Sequence, residues 1–250
     1  MNLKDIMKLY NIKKYQEDGF LGNNIKIAII DTGVNEDYIN YEKIIYKENF
    51  TQDNNGVIRN VKDYHNHGTL VSSIIQSIAP NVELVILKAI PRNFSTLSSF
   101  VGCVIKALEL KVDIMNISMN CANNYLILEN LIERECEDEI ILVASGNGYN
   151  KNGFFPACYK NVISIGSCNN RGEQSSFSNN SKDNIYILGE NISIKLKNDV
   201  SYVKNGTSFS CAIASGICVL LLEKYKKIYK NDKELKRVVI NKLREISLIW

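Results

Sequence analysis

The sequence predicts an α/β fold: one domain over residues 1–250, in three layers, with a mostly parallel central sheet flanked by helices. Two observations carry this. Short runs rich in Val, Ile and Leu alternate with longer amphipathic segments, the pattern of βαβ units around a sheet buried on both faces. A chain of 250 residues with 45% hydrophobic content can also bury one large core, and no internal repeat or composition break divides it.

Taken in chain order, the apolar run ending at Ile27-Ala28-Ile29-Ile30 predicts a strand over 25–30, stopped by the turn Asp31-Thr32-Gly33. Helical spacing of Leu70, Val71, Ile74, Ile75 and Ile78 predicts a helix over 67–78. Strands are expected at 83–90, 113–118, 140–144 and 162–166, and helices at 96–110 and 125–136. The apolar stretch from Cys211 to Leu222 predicts a buried helix over 208–225, followed by an amphipathic helix over 232–246. Polar clusters at 51–60, 148–153 and 169–183 read as surface loops.

Composition excludes several function classes. A net charge of +3 gives no strong field for nucleic acid or a membrane. The basic stretch from Lys224 to Arg237 falls on an amphipathic helical segment and reads as a solvated face. Seven scattered cysteines without a Cys-x-x-Cys pair, beside only two histidines, argue for reduced thiols and against zinc. Residues 1–20 carry charges throughout, so no signal peptide is read there. No apolar stretch is read as approaching the roughly 18 residues of a membrane span. The expected location is cytoplasmic.

Four residues stand at predicted element edges on the carboxyl side of the sheet, where ligands bind in open parallel sheets. Asp31 and Asn147 follow strands; His67 and Ser208 open helices. Each has a plain alternative: a strand-ending turn at Asp31, a capping or buried histidine, a positive-φ turn residue at Asn147, and a helix N-cap at Ser208. Together they supply the parts of nucleophilic acyl transfer. A serine hydroxyl needs a base to take its proton, an imidazole needs a carboxylate to fix its tautomer, and the oxyanion needs a preplaced donor.

The order Asp31…His67…Ser208, with the blocks Asp31-Thr32-Gly33, His67-Gly68-Thr69-x-Val71 and Gly206-Thr207-Ser208, resembles the subtilase family of subtilisin-like serine proteases over most of the chain. The segments 112–119, Phe155-Pro156 and 162–166 also fall where that family places them. The resemblance implies a subtilisin-like fold with Ser208 as nucleophile, His67 as general base, Asp31 as its orienting carboxylate, and Asn147 with the Ser208 backbone N–H as oxyanion donors. It implies a protein or peptide substrate bound in extended form along Ser118, Met119 and Asn120, with Phe154 near the floor of the primary pocket. A Phe154 pointing inward would make that pocket shallow and select small side chains; a Phe154 turned into its loop would not.

The departures from the family bear on specificity. Phe209-Ser210-Cys211-Ala212 follows Ser208 where Met-Ala-x-Pro is usual, Leu70 replaces a second histidine, Asn66 a glycine, and Asn120 another glycine beside the substrate strand, which would narrow the subsites. The long calcium-binding loop that family members often carry after the histidine helix looks deleted, since Ser77-Ile78-Ala79-Pro80 runs straight toward the next strand. No metal and no cofactor are therefore expected. The catalytic domain is expected to start almost at Met1, and to fold without a prodomain in the cytosol. Whether Met1 to Tyr10 cover the cleft is left open, as is the oligomeric state. The leading reading is a serine endopeptidase, either a general protease or one dedicated to processing a leader or precursor. A catalytically silent peptide-binding protein of the same fold is the alternative. An esterase or amidase on small acyl substrates shares the chemistry but lacks the Gly-x-Ser-x-Gly elbow.

Overall fold

A computed structural model describes the chain except residues 55–56, 93–95, 150–153, 181–182, 198 and 248–250, and the side chain of residue 54. Parts of all three expected loops thus lie outside the described residues. Among those described, the elements run α1 (Leu3–Leu9), α2 (Ile12–Glu17), β1 (Lys26–Asp31), β2 (Ile44–Asn49), α3 (His67–Ile78), β3 (Glu83–Lys88), α4 (Leu97–Glu109), β4 (Ile114–Ile117), α5 (Leu126–Glu135), β5 (Ile140–Ala144), β6 (Val162–Cys168), β7 (Ile185–Leu188), β8 (Ile192–Lys195), β9 (Ser201–Lys204), α6 (Thr207–Lys226) and α7 (Asp232–Glu245), with three short 3₁₀ turns.

The sheet has seven strands in the order β2-β3-β1-β4-β5-β6-β7, every neighbouring pair parallel. Side-chain alternation along β1 shows why the fold has three layers. Ile27 and Ile29 join a core with α1, α3, α6 and α7, whereas Ala28 and Ile30 face the opposite core with α4 and α5. Burial on both faces is what the unbroken apolar runs encode. The chain leaves β1 for β2 and β3 on one side, then crosses back to β4 on the other. The carboxyl ends of β1 and β4 therefore flank a topological switch point, the place where open parallel sheets take ligands.

All ten expected elements are present, α3 over the expected residues. The elements not expected are short or charged. β2 reads Ile-Ile-Tyr-Lys-Glu-Asn and is only partly buried at the sheet edge, where charges belong. β7, β8 and β9 have four residues each. α1 is announced by a capping box, Asn2 accepting from Asp5 N–H while the Asp5 carboxylate accepts from Asn2 N–H. Ile6 and Tyr10 are buried, and the Tyr10 hydroxyl accepts the Leu188 N–H at 2.8 Å, so residues 1–10 are packed into the α3 side of the sheet.

One expectation needs correction. α6 is 20 residues long and apolar enough to cross a membrane by length and composition. Its apolar stretch is 94% buried against β4, β5, β6, β7 and α3, which accounts for that composition as core. α7 buries Leu235, Val239 and Leu243 along one stripe and leaves its basic residues on the other face. All seven cysteines are free; Cys158 is exposed and Cys121 half-buried, while the rest are buried. Burial pushes the Cys136 and Cys168 thiols up to about 12, so neither is a ready thiolate.

Candidate active site

Asp31 ends β1, 1% exposed, and its Oδ1 accepts the Thr32 N–H at 2.6 Å. The same oxygen lies 2.7 Å from His67 Nδ1. α3 begins at His67 because the residue before it, Asn66, takes a left-handed turn at φ 60°, a conformation that asparagine tolerates better than other side chains bearing a Cβ. That accounts for asparagine where the family often has glycine. The Asp63 carboxylate accepts the Thr69 N–H at 2.9 Å and its hydroxyl at 2.7 Å, capping the first turn of α3. A Cβ on Gly68 would sit 2.2 Å from the Gly33 carbonyl oxygen, so only glycine lets this turn close on the one carrying Asp31.

Burial disfavours a charged His67, but the Asp31 charge and hydrogen bond, with help from Asp63, outweigh it and the opposing field of Lys204. The net effect raises its pKa above the ordinary 6.5. The Phe209 ring packs 5.6 Å from the imidazole, centroid to centroid, tilted by 50°. The first turn of α6, which holds Ser208, thus lies against the first turn of α3.

The N-cap of α6 is Gly206, and no side chain caps the helix, so the hydroxyls of Thr207 and Ser208 are free for other partners. Thr207 directs both of its donors at one atom, its N–H and hydroxyl each lying 3.0 Å from Asn147 Oδ1. This fixes which way the Asn147 amide faces. On this exposed residue Nδ2 lies 3.4 Å from where a Gly206 Cβ would be and, like the Ser208 N–H, donates to no group among the described residues. Ser208, 8% exposed, donates its hydroxyl to the Ser118 carbonyl at 3.3 Å; no hydrogen bond joins it to His67.

Behind these residues stand polar groups that the sequence reading passed over. Asn116, fully buried on β4, accepts from the Ser215 hydroxyl at 3.0 Å and donates to the Ser118 hydroxyl at 3.1 Å. Its signal was a lone amide inside an apolar strand. Asn179 clamps the turn that presents Asn147. It donates to the Ser145 carbonyl at 3.0 Å and accepts the Gly148 N–H at 2.7 Å, and its own N–H binds the Gly146 carbonyl. Gly146 has φ +102°, and a Cβ there would meet Asn179 Nδ2 at 2.4 Å.

Of the four expected substrate contacts, Ser118 touches Ser208, while Met119 and Asn120 continue from β4, half-buried. Phe154 packs its ring on the 146–148 turn, 3.1 Å from where a Gly148 Cβ would be. Among the described residues, no group of three or more His, Cys, Asp or Glu side chains could hold a metal ion. α3 ends at Ile78 and β3 begins at Glu83, leaving only a short link between them.

Comparison with known proteins adds the chain's kinship. A model of the subtilase family matches residues 22–247. The chain is 27% identical over 238 residues to the major intracellular serine protease of Bacillus subtilis (strain 168), covering 88% of this chain and 75% of that protein. It is likewise 27% identical over 229 residues to the intracellular serine protease of Paenibacillus polymyxa, covering 84% and 70%. Among solved structures, the prenylagaramide maturation protease PagA superposes with a TM-score of 0.74 at 22% identity, over 90% of this chain and 85% of that one. A cold adapted subtilisin-like serine proteinase superposes with a TM-score of 0.75 at 20% identity, over 87% and 81%.

Proposed function

Because the chain belongs to the subtilase family and is a serine-type endopeptidase, we propose that it cuts peptide bonds through an acyl-enzyme on Ser208, with His67 as base, Asp31 as its partner and Asn147 in the oxyanion hole. The observation that carries this is the 2.7 Å contact between Asp31 Oδ1 and His67 Nδ1. A carboxylate on Nδ1 holds the proton there, which leaves Nε2 as the lone-pair nitrogen. As a substrate approaches, Ser208 turns about χ1 from the Ser118 carbonyl toward Nε2. Its Oγ bonds to the scissile carbonyl carbon while the hydroxyl proton passes to His67. Charge on the carbonyl oxygen meets two donors with no other partner, Asn147 Nδ2 and the Ser208 N–H at the positive end of α6. The tetrahedral adduct expels the amine, which takes the proton from His67, and water then releases the acid by the same steps. The substrate lies extended beside 118–120, its backbone pairing with that edge.

The cytoplasm is the proposed location, in keeping with two relatives named as intracellular. The finer reading is a processing protease acting on one precursor, supported by the likeness to a structure named as a maturation protease. A single defined cut in one precursor peptide, with casein left intact, is the expected result; broad digestion of casein would refute it.

One observation favours a silent peptide-binding protein instead: the Ser208 hydroxyl is bonded to Ser118 and not to His67. Catalytic hydrogen bonds are often long or misaligned until substrate binds. Labelling with a serine-reactive fluorophosphonate separates the two readings. We expect an adduct on Ser208, located by mass spectrometry, that is absent in Ser208→Ala and strongly reduced in His67→Ala. Folded native protein that takes no label would establish the silent reading.

A further inference from the structure

We propose that Asn120 closes the pocket beside Ser208, so that this enzyme cleaves after residues with small side chains, namely Gly, Ala or Ser. The proposal rests on the assignment of Ser208 as nucleophile.

The pocket is a fork between two strands. β4 and β5 are in register up to the pair Ile117 and Val143, and beyond it their chains continue as 118–120 and 144–147. Ser208 stands at this fork, bonded to the Ser118 carbonyl on one side, with Asn147 on the other. A peptide carbonyl attacked by Ser208, its oxygen toward Asn147 Nδ2, directs the side chain of its own residue between the two arms.

The fork is bridged. Asn120 donates its Nδ2 to the Ala144 carbonyl at 2.6 Å, and its Oδ1 lies 3.3 Å from where a Gly146 Cβ would be. Asn120 thus crosses from the β4 arm to the β5 arm, where a long side chain beneath the attacked carbonyl would have to displace it. The far end is shut as well. The Phe154 ring packs on Gly148, and Cys121 and Phe155 exchange backbone hydrogen bonds of 2.8 and 2.9 Å.

The bridge resists displacement for a stated reason. Ala144 is fully buried, and the next two carbonyls, of Ser145 and Gly146, are held by Asn179. A bulky side chain that pushed Asn120 aside would strand the Ala144 carbonyl without a donor, which an apolar substrate group cannot replace. Only a side chain small enough to lie above the bridge avoids that loss.

The test uses two peptide p-nitroanilides that differ only in Ala or Phe before the scissile bond, with active enzyme counted by fluorophosphonate labelling of Ser208. Native enzyme is expected to prefer Ala by at least about 100-fold in kcat/KM. Asn120→Gly, which removes the bridge, is expected to raise the Phe-to-Ala ratio at least about tenfold. Asn120→Leu keeps the bulk but not the hydrogen bond that resists displacement, and is expected to weaken the preference for Ala less than Asn120→Gly does. Asn120→Ala serves as the milder variant if the glycine variant labels poorly. Labelled native enzyme that cleaves after Phe as well as after Ala, or an unchanged ratio in both small variants, would overturn the inference alone. Failure of the folded native protein to label would overturn the assignment of Ser208 as nucleophile, and this inference with it, whereas labelled enzyme that does not cleave the Ala substrate would overturn this inference alone.

Discussion

Ser208→Ala and His67→Ala are each expected to lower kcat by about 10⁶, and the double variant by no more than either alone, the size and non-additivity found for the corresponding residues of a subtilisin. In the proposed mechanism the two act as one device. Without His67, nothing removes the Ser208 proton as its oxygen bonds to carbon; without Ser208, a base on Nε2 has no nucleophile to activate. What remains is the binding edge at 118–120 and the donors Asn147 Nδ2 and Ser208 N–H. These still stabilise a tetrahedral oxyanion formed by water, and they set the residual rate. The measurement is turnover of a peptide substrate by purified single and double variants, each checked for native thermal unfolding. His67→Ala within tenfold of native would show that another group is the base. A double variant far below both singles would show that Ser208 and His67 act independently, which the proposed mechanism does not allow.

The sheet, and the placement of the four candidate residues at its carboxyl edge, have the same physical origin in the sequence. Strands buried on both faces leave continuous apolar runs, and the carboxyl ends of those runs are where polar residues must gather. Asp31 and Asn147 announce themselves as polar groups that stop such runs, and His67 and Ser208 as polar groups that start helices. What escaped the reading was of two kinds. The edge strand β2 and the four-residue strands β7, β8 and β9 bury too few side chains to imprint a period. Asn116, Asp63 and Asn179 escaped because their meaning lies in partners far along the chain or across a turn. Asn116 meets Ser215, 99 residues away, and Asn179 meets the turn at Ser145 to Gly148. An isolated amide in a buried strand signals that some partner exists, but only the fold says which. Asn120 falls between the two cases. Its departure from the family's glycine was visible, yet the Ala144 carbonyl that it grips was not.

Asp31→Asn is expected to cut kcat/KM by about 10⁴ and to move its acid limb to lower pH, two effects with separate causes. Asparagine preserves the shape of a side chain that is 1% exposed, so the pocket around Thr32 and Gly68 stays packed. Its amide can bond to Nδ1 with the wrong tautomer in place, putting the imidazole proton on Nε2, where Ser208 needs a lone pair; in another serine protease that change alone costs about 10⁴. The pH shift follows from charge. Burial lowers the His67 pKa, while the Asp31 charge and hydrogen bond raise it past the ordinary 6.5, assisted by Asp63 and opposed by Lys204. Since only neutral His67 accepts a proton, native kcat/KM should rise through a midpoint above 6.5. With the carboxylate gone, burial and Lys204 prevail over Asp63, and the midpoint should fall below 6.5. The same shift works oppositely on the fold. A His whose pKa is raised on folding stabilises the native state fully below about 6.5, and that contribution fades as pH climbs through the raised value. The Asp31–His67 pair therefore gives least to stability in the pH range where it gives most to catalysis. Profiles of kcat/KM against pH for native and Asp31→Asn enzyme, with thermal unfolding followed over the same range, test both halves. A native midpoint below 6.5, or one that does not move in the variant, would mean that Asp31 does not set the charge state of His67.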